Sequence, residues 1–348
     1  METKVLVGAA FWDRARQGTR TAGLFDLAVD SGTWEKVTGG LPDDVEVRCI
    51  AIRESGTIFV GTQNGPCRSD DGGRTWRLLE LPGVDRLVWS ILPCDPDILY
   101  VGTQGTSIYR SGDDGVSWRQ LPVPVTAGAV EMGFPMRVIR LAVDPGDPNT
   151  IYAAFEVGGM ARSLDGGETW TDCGAGLLEL AKEDRFKSRL LSDTETEGMM
   201  DSHAVAVSSS LPGTVFLANR MGLFRSPDRG DTWHAVDIGR FSELTYARDL
   251  KVFPHDPDML LAALSDSSGG VAGSLYRSPD LGETWTRFDH DVSIESTLMT
   301  LAASAATPRR VYCAARRGQV FGTEDGGESW RAFPLPDGVE GVYAIACA

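Results

Sequence analysis

One eight-residue phrase recurs along the chain, with the form Ser/Thr-x-Asp-x-Gly-x-Thr/Ser-Trp. It reads SDDGGRTW ending at Trp76, SGDDGVSW at Trp118 and SLDGGETW at Trp170. It returns as SPDRGDTW at Trp233, SPDLGETW at Trp285 and TEDGGESW at Trp330, and a shortened copy, DSGTW, ends at Trp34. Successive tryptophans stand 42, 42, 52, 63, 52 and 45 residues apart. Such a period marks an array of supersecondary units, none of which buries its apolar face alone. Within the phrase, Ser and Asp side chains are suited to bond nearby backbone N–H groups, and Gly supplies a positive φ. The phrase therefore predicts a tight turn between two strands, with the Trp beginning the next strand and packing between neighbouring sheets.

The remaining strands fall into step. Before each phrase lies an apolar strand that often ends in Arg-Ser (CRS, YRS, ARS, FRS, YRS). Upstream of these run TIFVGT, DILYVGT, TIYAAF, TVFLAN, MLLAAL and RVYCAA, rich in β-branched and aromatic residues as strands buried on both faces are. A further strand precedes each: RCIAI, WSILP, IRLAV, HAVAV, RDLKV and MTLAA. The chain opens on KVLVGA (4–9), which matches a second strand, and ends on VYAIACA (342–348), which matches a first. The expected fold is all-β: one seven-bladed β-propeller over residues 1–348, with four-stranded antiparallel blades. The C-terminal strand is expected to complete the N-terminal blade and so remove the free sheet edges.

The phrase is the Asp box, or BNR repeat, and the chain resembles the Asp-box propellers: sialidases, sortilin-type receptors and the photosystem II assembly factor family. The resemblance runs over essentially the whole chain. It implies a propeller whose ligands meet the channel mouth on the face opposite the boxes.

A net charge of −16 argues against nucleic-acid and anionic-membrane partners, which call for basic patches. The six cysteines form no CxxC pair, and several sit in apolar strand patterns. The N-terminal METKVLVGAAFWDRARQ does not read as a signal peptide, and no stretch is long enough to span a membrane. The expected location is the cytoplasm, the expected state a monomer, and no cofactor or metal is expected.

The mouth collects the starts of the innermost strands and the loops between second and third strands. Arg48, Trp89, Arg137, Arg140, Arg248, Tyr343 and Trp12 are the candidate substrate-binding residues, since the guanidinium fork binds carboxylate or phosphate bidentately. His203, Asp201, Glu156 and Tyr246 are the candidate proton-transfer groups. The competing reading is that ring-lining Arg and Asp pair with one another and fill a watery channel. Residues 174–200 form the largest insertion, with helical spacing and i,i+4 charge pairs such as Glu183–Lys187, which is read either as a lid over the channel or as a surface excursion packed on one blade.

These features favour a small-molecule-binding propeller, an intracellular hydrolase or lyase acting on a small anionic or glycan-like substrate. The alternative is a non-catalytic scaffold with a protein partner. A second alternative is a sialidase-like glycoside hydrolase, but the Arg-Ile/Leu-Pro phrase of sialidases is missing and seven boxes exceed their usual six blades.

Overall fold

The computed structural model describes residues 3–11, 21–84, 86–94, 96–123 and 126–348. Seven four-stranded antiparallel sheets form the blades of a propeller. In blades 2 to 7 the strands follow chain order from the channel outward. The inner strands are Val47–Ile52, Val88–Pro93, Arg137–Asp144, Ser202–Val207, Tyr246–Phe253 and Leu298–Ala303. Blade 1 runs in the order Val342–Cys347, Val5–Ala9, Gly23–Ala28, Thr33–Lys36, so the C-terminal strand is its innermost. Val5 pairs with Cys347 and Val7 with Ile345. The seam continues at both ends, where Ala348 N–H donates to the Lys4 carbonyl at 2.9 Å and Ala10 N–H to the Gly341 carbonyl at 2.9 Å.

The repeated phrase folds as its chemistry dictates. In the third copy Asp165 accepts the Thr169 N–H at 2.8 Å, the Thr169 hydroxyl at 2.6 Å and the Ser163 hydroxyl at 2.8 Å. Ser163 Oγ in turn accepts the Gly167 N–H at 2.8 Å. The residue before the phrase's Gly also takes a positive φ, even where it is Asp114, Arg229 or Leu281. Four hydrogen bonds accepted by the Asp and Ser side chains close the turn and hold that conformation, which is costly for Leu.

The tryptophans differ from expectation in one respect. In the six full copies the outer strand starts after the Trp, as at Arg77–Leu78 and Thr286–Arg287. The Trp76 N–H is taken by the Gly39 carbonyl at 2.8 Å, which withdraws it from the strand ladder. Several indoles reach the preceding blade: Trp34, Trp233 and Trp330 Nε1 donate to the carbonyls of Phe333, Cys173 and Phe288 at 2.9, 3.1 and 3.0 Å.

Close blade packing rests on one position of the second strand. It is occupied by Gly8, Gly61 and Gly102 in blades 1 to 3, and by Ala154, Ala218, Ala263 and Ala314 in the rest, all four fully buried. A Cβ on Gly61 would lie 2.3 Å from Cys49 Sγ and 2.6 Å from a Val88 methyl, and one on Gly102 2.5 Å from a Val138 methyl. The inner strand of the next blade occupies the space a larger side chain would need.

The 174–200 insertion contains a helix at Gly174–Leu180 and a short one at Glu197–Met200. Leu177, Ala181, Phe186, Met199 and Met200 are buried in one core cluster with Phe224 and Trp233. The helical part therefore packs down between blades 4 and 5 instead of roofing the channel. The expected Glu183–Lys187 pair does not form: Lys187 bonds Asp184 at 2.8 Å and Glu183 bonds Arg185 at 2.8 Å.

Candidate functional site

Each inner strand carries a β-bulge near its start, at the equivalent place in all seven blades. Pairing steps from Val47 to Cys49, from Val88 to Ser90 and from Val138 to Arg140. It steps likewise from Ser202 to Ala204, Ala247 to Asp249, Leu298 to Thr300 and Val342 to Ala344. The skipped residues, in ring order, are Tyr343, Arg48, Trp89, Ile139, His203, Arg248 and Met299. A bulge re-aims the side chain of its extra residue, and all seven residues line the narrow waist of the channel, a cavity of about 40 Å³. Above the waist the channel opens into a mouth of about 650 Å³, which shares Arg48, Trp89 and Tyr343 with it and adds Arg137, Phe134 and Leu191 among others.

The candidate residues divide between these two spaces. Arg48, Trp89 and Tyr343 face both, Arg137 faces the mouth, and Arg140, His203 and Arg248 face the waist. Asp201, Glu156 and Tyr246 stand behind this lining, and Trp12 lies outside the described residues. Leu191 is the insertion's contribution to the mouth.

Most of the charged groups are paired. Arg48 bonds Glu46 at 2.5 Å, and both are buried. Its guanidinium carbon lies 5.1 Å from the Trp89 ring centroid and 5.7 Å from that of Tyr343. Arg137 bonds Glu156 at 2.5 Å and contacts the rings of Trp89 and Phe134, each at 4.5 Å. Arg140 reaches Asp249 at 3.1 Å. Asp249, fully buried, also accepts from the Thr300 hydroxyl and the Leu301 N–H, each at 3.1 Å.

Arg248 is different. It is 7% exposed, and its guanidinium makes no hydrogen bond or ion pair with any described residue. Burial opposes its charge, and the surrounding Tyr246, Glu156, Asp201 and Tyr343 groups more than offset that effect. Its fork faces the waist with no bonded partner among the described residues, and is open there to the two parallel bonds a carboxylate or phosphate makes. Nearby, Arg48 Nε and Nη1 and Trp89 Nε1 are buried donors without a partner among the described residues.

The proposed proton-transfer groups are less available than the sequence suggests. Asp201 Oδ2 accepts Arg220 Nε at 2.9 Å and Nη2 at 2.7 Å, and lies 3.3 Å from His203 Nε2. Burial works against the Asp201 charge, but His203 and Arg220 outweigh it and hold the carboxyl well below the usual range. Glu156 is bound to Arg137. Burial pushes the Tyr246 phenol up to about 12. His203 donates from Nδ1 to the Ala247 carbonyl at 2.7 Å, with the Tyr246 hydroxyl 3.4 Å from Nε2. Among the described residues, no carboxylate lines the mouth or the waist, and no cluster of three or more metal-ligating side chains is found.

Sequence reasoning found five of the seven ring residues and missed Ile139 and Met299, because it looked for polar groups. The signal was the second or third residue of each inner strand, read in register across the repeats. It also missed Leu191 as a mouth residue and Glu197 as the anchor of the loop that carries it.

Comparison with known proteins agrees with this architecture. Xyloglucanase Xgh74A of Acetivibrio thermocellus is 24% identical over 215 residues, covering 54% of this chain. The match spans only 24% of that relative's length. Among solved structures, the GH74 xyloglucanase of Xanthomonas campestris superposes with a TM-score of 0.64 at 17% identity, covering 86% of this chain and 46% of that one. YCF48 bound to D1 peptide gives 0.53 at 16% identity, covering 84% and 83%. At such identities the structural likeness shows the fold alone. The family model that matches carries the propeller in its description, where the sequence pointed to the Asp box. It is the DUF6242 beta propeller domain, matched over residues 3–315, and the chain belongs to that family.

Proposed function

We propose that this propeller binds a small organic anion in its central channel, seated on the ring of bulge residues. The observation that carries the reading is Arg248, a buried guanidinium at the waist with no hydrogen bond or ion pair among the described residues. Arg48 faces the waist from another blade and adds a second positive charge there.

The test is calorimetric titration of the full chain with 4-phenylbutyrate, D-glucuronate and phenyl phosphate, repeated on Arg248→Gln. At least one anion binds the parent chain, and the variant loses about 10- to 100-fold in affinity, the worth of a hydrogen bond to a charged group. If none of the three binds, or the variant binds as well as the parent, the reading is wrong.

The xyloglucanase relatives favour glycan hydrolysis as a second reading. Against it, glycoside hydrolysis ordinarily uses two carboxyl groups flanking the bond. Here Asp201 and Glu156 are held by Arg220 and Arg137 behind the lining. Release of reducing ends from xyloglucan oligosaccharides by the full chain would establish it over the binding reading.

A further inference from the structure

The charges that line the channel bear on how many negative groups its ligand carries, given the anion-binding reading above. We infer that the ligand is an anion with at least two separated negative groups, carboxylate or phosphoryl. Arg248 holds one group at the waist and Arg86 holds another in the mouth.

Among the described residues, six arginine and lysine side chains line the mouth and the waist, and no carboxylate does. They are Arg48, Arg86, Arg137, Arg140, Arg248 and Lys251. The chain as a whole carries a net charge of −16, so the channel gathers cations in an acidic protein. A cleft lined by one sign of charge focuses the field and concentrates ligands of the opposite sign.

Four of the six are met by carboxylates from behind the lining. Glu46 takes Arg48 and Glu156 takes Arg137, each at 2.5 Å. Asp249 serves two at once, Arg140 at 3.1 Å and Lys251 at 3.9 Å. Arg248 and Arg86 have no carboxylate partner among the described residues. They stand in different spaces. Arg248 is buried at the waist, and Arg86 is exposed in the mouth, where its Nε alone is engaged, by the Gly83 carbonyl at 3.2 Å. Mouth and waist share Arg48, Trp89 and Tyr343, so they form one continuous space. A ligand with one negative group answers one open guanidinium and leaves the other to water. A second negative group answers both. Carboxylate and phosphoryl groups alike match the guanidinium fork, so the number of charges defines the class.

The titrations named above are extended, at low ionic strength, by two ladders of matched ligands. One sets the α,ω-dicarboxylates from succinate to sebacate against monocarboxylates of equal length. The other sets α,ω-alkylene bisphosphonates against the matching alkylphosphonates. The lengths cover a range of separations between the two groups, and the ladder that responds shows which kind of anion is preferred. At least one doubly charged ligand is expected to bind about 2- to 5-fold tighter than its singly charged partner, the worth of an exposed ion pair. That ratio falls toward one in Arg86→Gln, whose melting temperature matches the parent's because Arg86 is exposed. It also falls in about 1 M salt, where screening acts over about 3 Å. If the singly charged anions bind through Arg248 and no doubly charged ligand outbinds its partner, this inference is overturned while the anion site stands. A ratio unchanged by Arg86→Gln overturns the placement of the second group. Failure of every ligand overturns both readings.

Discussion

Arg220 Nη1 lies 2.7 Å from Oε1 of Glu197, a carboxylate with no exposed surface. The same Glu197 accepts the N–H groups of Leu190, Leu191 and Ser192 at 2.8–3.2 Å and the Ser192 hydroxyl at 2.8 Å. Arg220 continues to Asp201, which touches His203 at the channel waist. One buried carboxylate thus fixes the loop that carries Leu191 to the mouth and ties it to the ring. Burial works against its charge, yet these bonds hold its carboxyl down to about 2.

Glu197→Ala leaves Arg220 without one partner and three loop N–H groups without an acceptor. Breaking a buried pair from one side costs about 3–5 kcal/mol. Chemical denaturation should show a loss of that size, and limited proteolysis should cut first within residues 188–195. A loop that stays protected in the variant contradicts the anchoring role.

Gly61→Val tests the blade contact. Its Cβ would fall 2.6 Å from a methyl of Val88 in the third blade, and relief requires the second and third blades to move apart. Overpacking of a core costs about 1–3 kcal/mol, so a lowered melting temperature is expected. Ala154→Gly, which removes a methyl where a Cβ is accommodated, should cost less.

The tryptophans should differ by burial. Trp233 is 4% exposed and donates to the Cys173 carbonyl, whereas Trp330 is only half-buried. Trp233→Ala is expected to cost about 3–5 kcal/mol, the usual range for a buried Trp, and Trp330→Ala less. Equal losses in urea denaturation would mean that the box turn, and not indole burial, dominates.

Acid should weaken the boxes together. The carboxyls of Asp71, Asp113, Asp165, Asp228, Asp280 and Asp325 are all lowered. In Asp113 and Asp165 the hydroxyl of Ser117 or Thr169 is the main cause, and both are lowered to about 2. A depressed folded-state pKa stabilises the fold above the unfolded value and loses that stabilisation as pH falls through the folded one. The melting temperature should therefore hold above about pH 4, near the unfolded Asp value, and drop toward pH 2. Asp165→Asn should flatten the profile; an unchanged slope speaks against the mechanism.

The seam makes the C-terminus essential. Removing residues 342–348 strips blade 1 of its inner strand and takes Tyr343 out of the ring. The truncated chain should lose cooperative unfolding and aggregate on a sizing column. An alanine added after Ala348 should be tolerated, since it extends past the last pair.

The sequence by itself determined the fold. Seven copies of a local turn, each closed by bonds among residues within eight positions, set the blade number, and the unmatched strands at the two ends set the closure. Those signals are short-range, so they survive without knowledge of the partner strands. It also located Arg48, Trp89, His203, Arg248 and Tyr343, because polar or aromatic residues at inner strand starts stand out against apolar neighbours. Only the tertiary structure decided what these groups can do. The partners of Arg48, Arg137, Arg140 and Arg220 lie on a nearby loop, the next strand of the same blade, a blade two places round the ring and the insertion, and no spacing along the chain distinguishes a paired arginine from a free one. The bulge that turns one residue of each inner strand to the axis is a property of strand pairing, visible only once both strands are in place. Arg248 differs from the other arginines of the channel because the packing of seven blades brought no carboxylate of the described residues within hydrogen-bond reach of it.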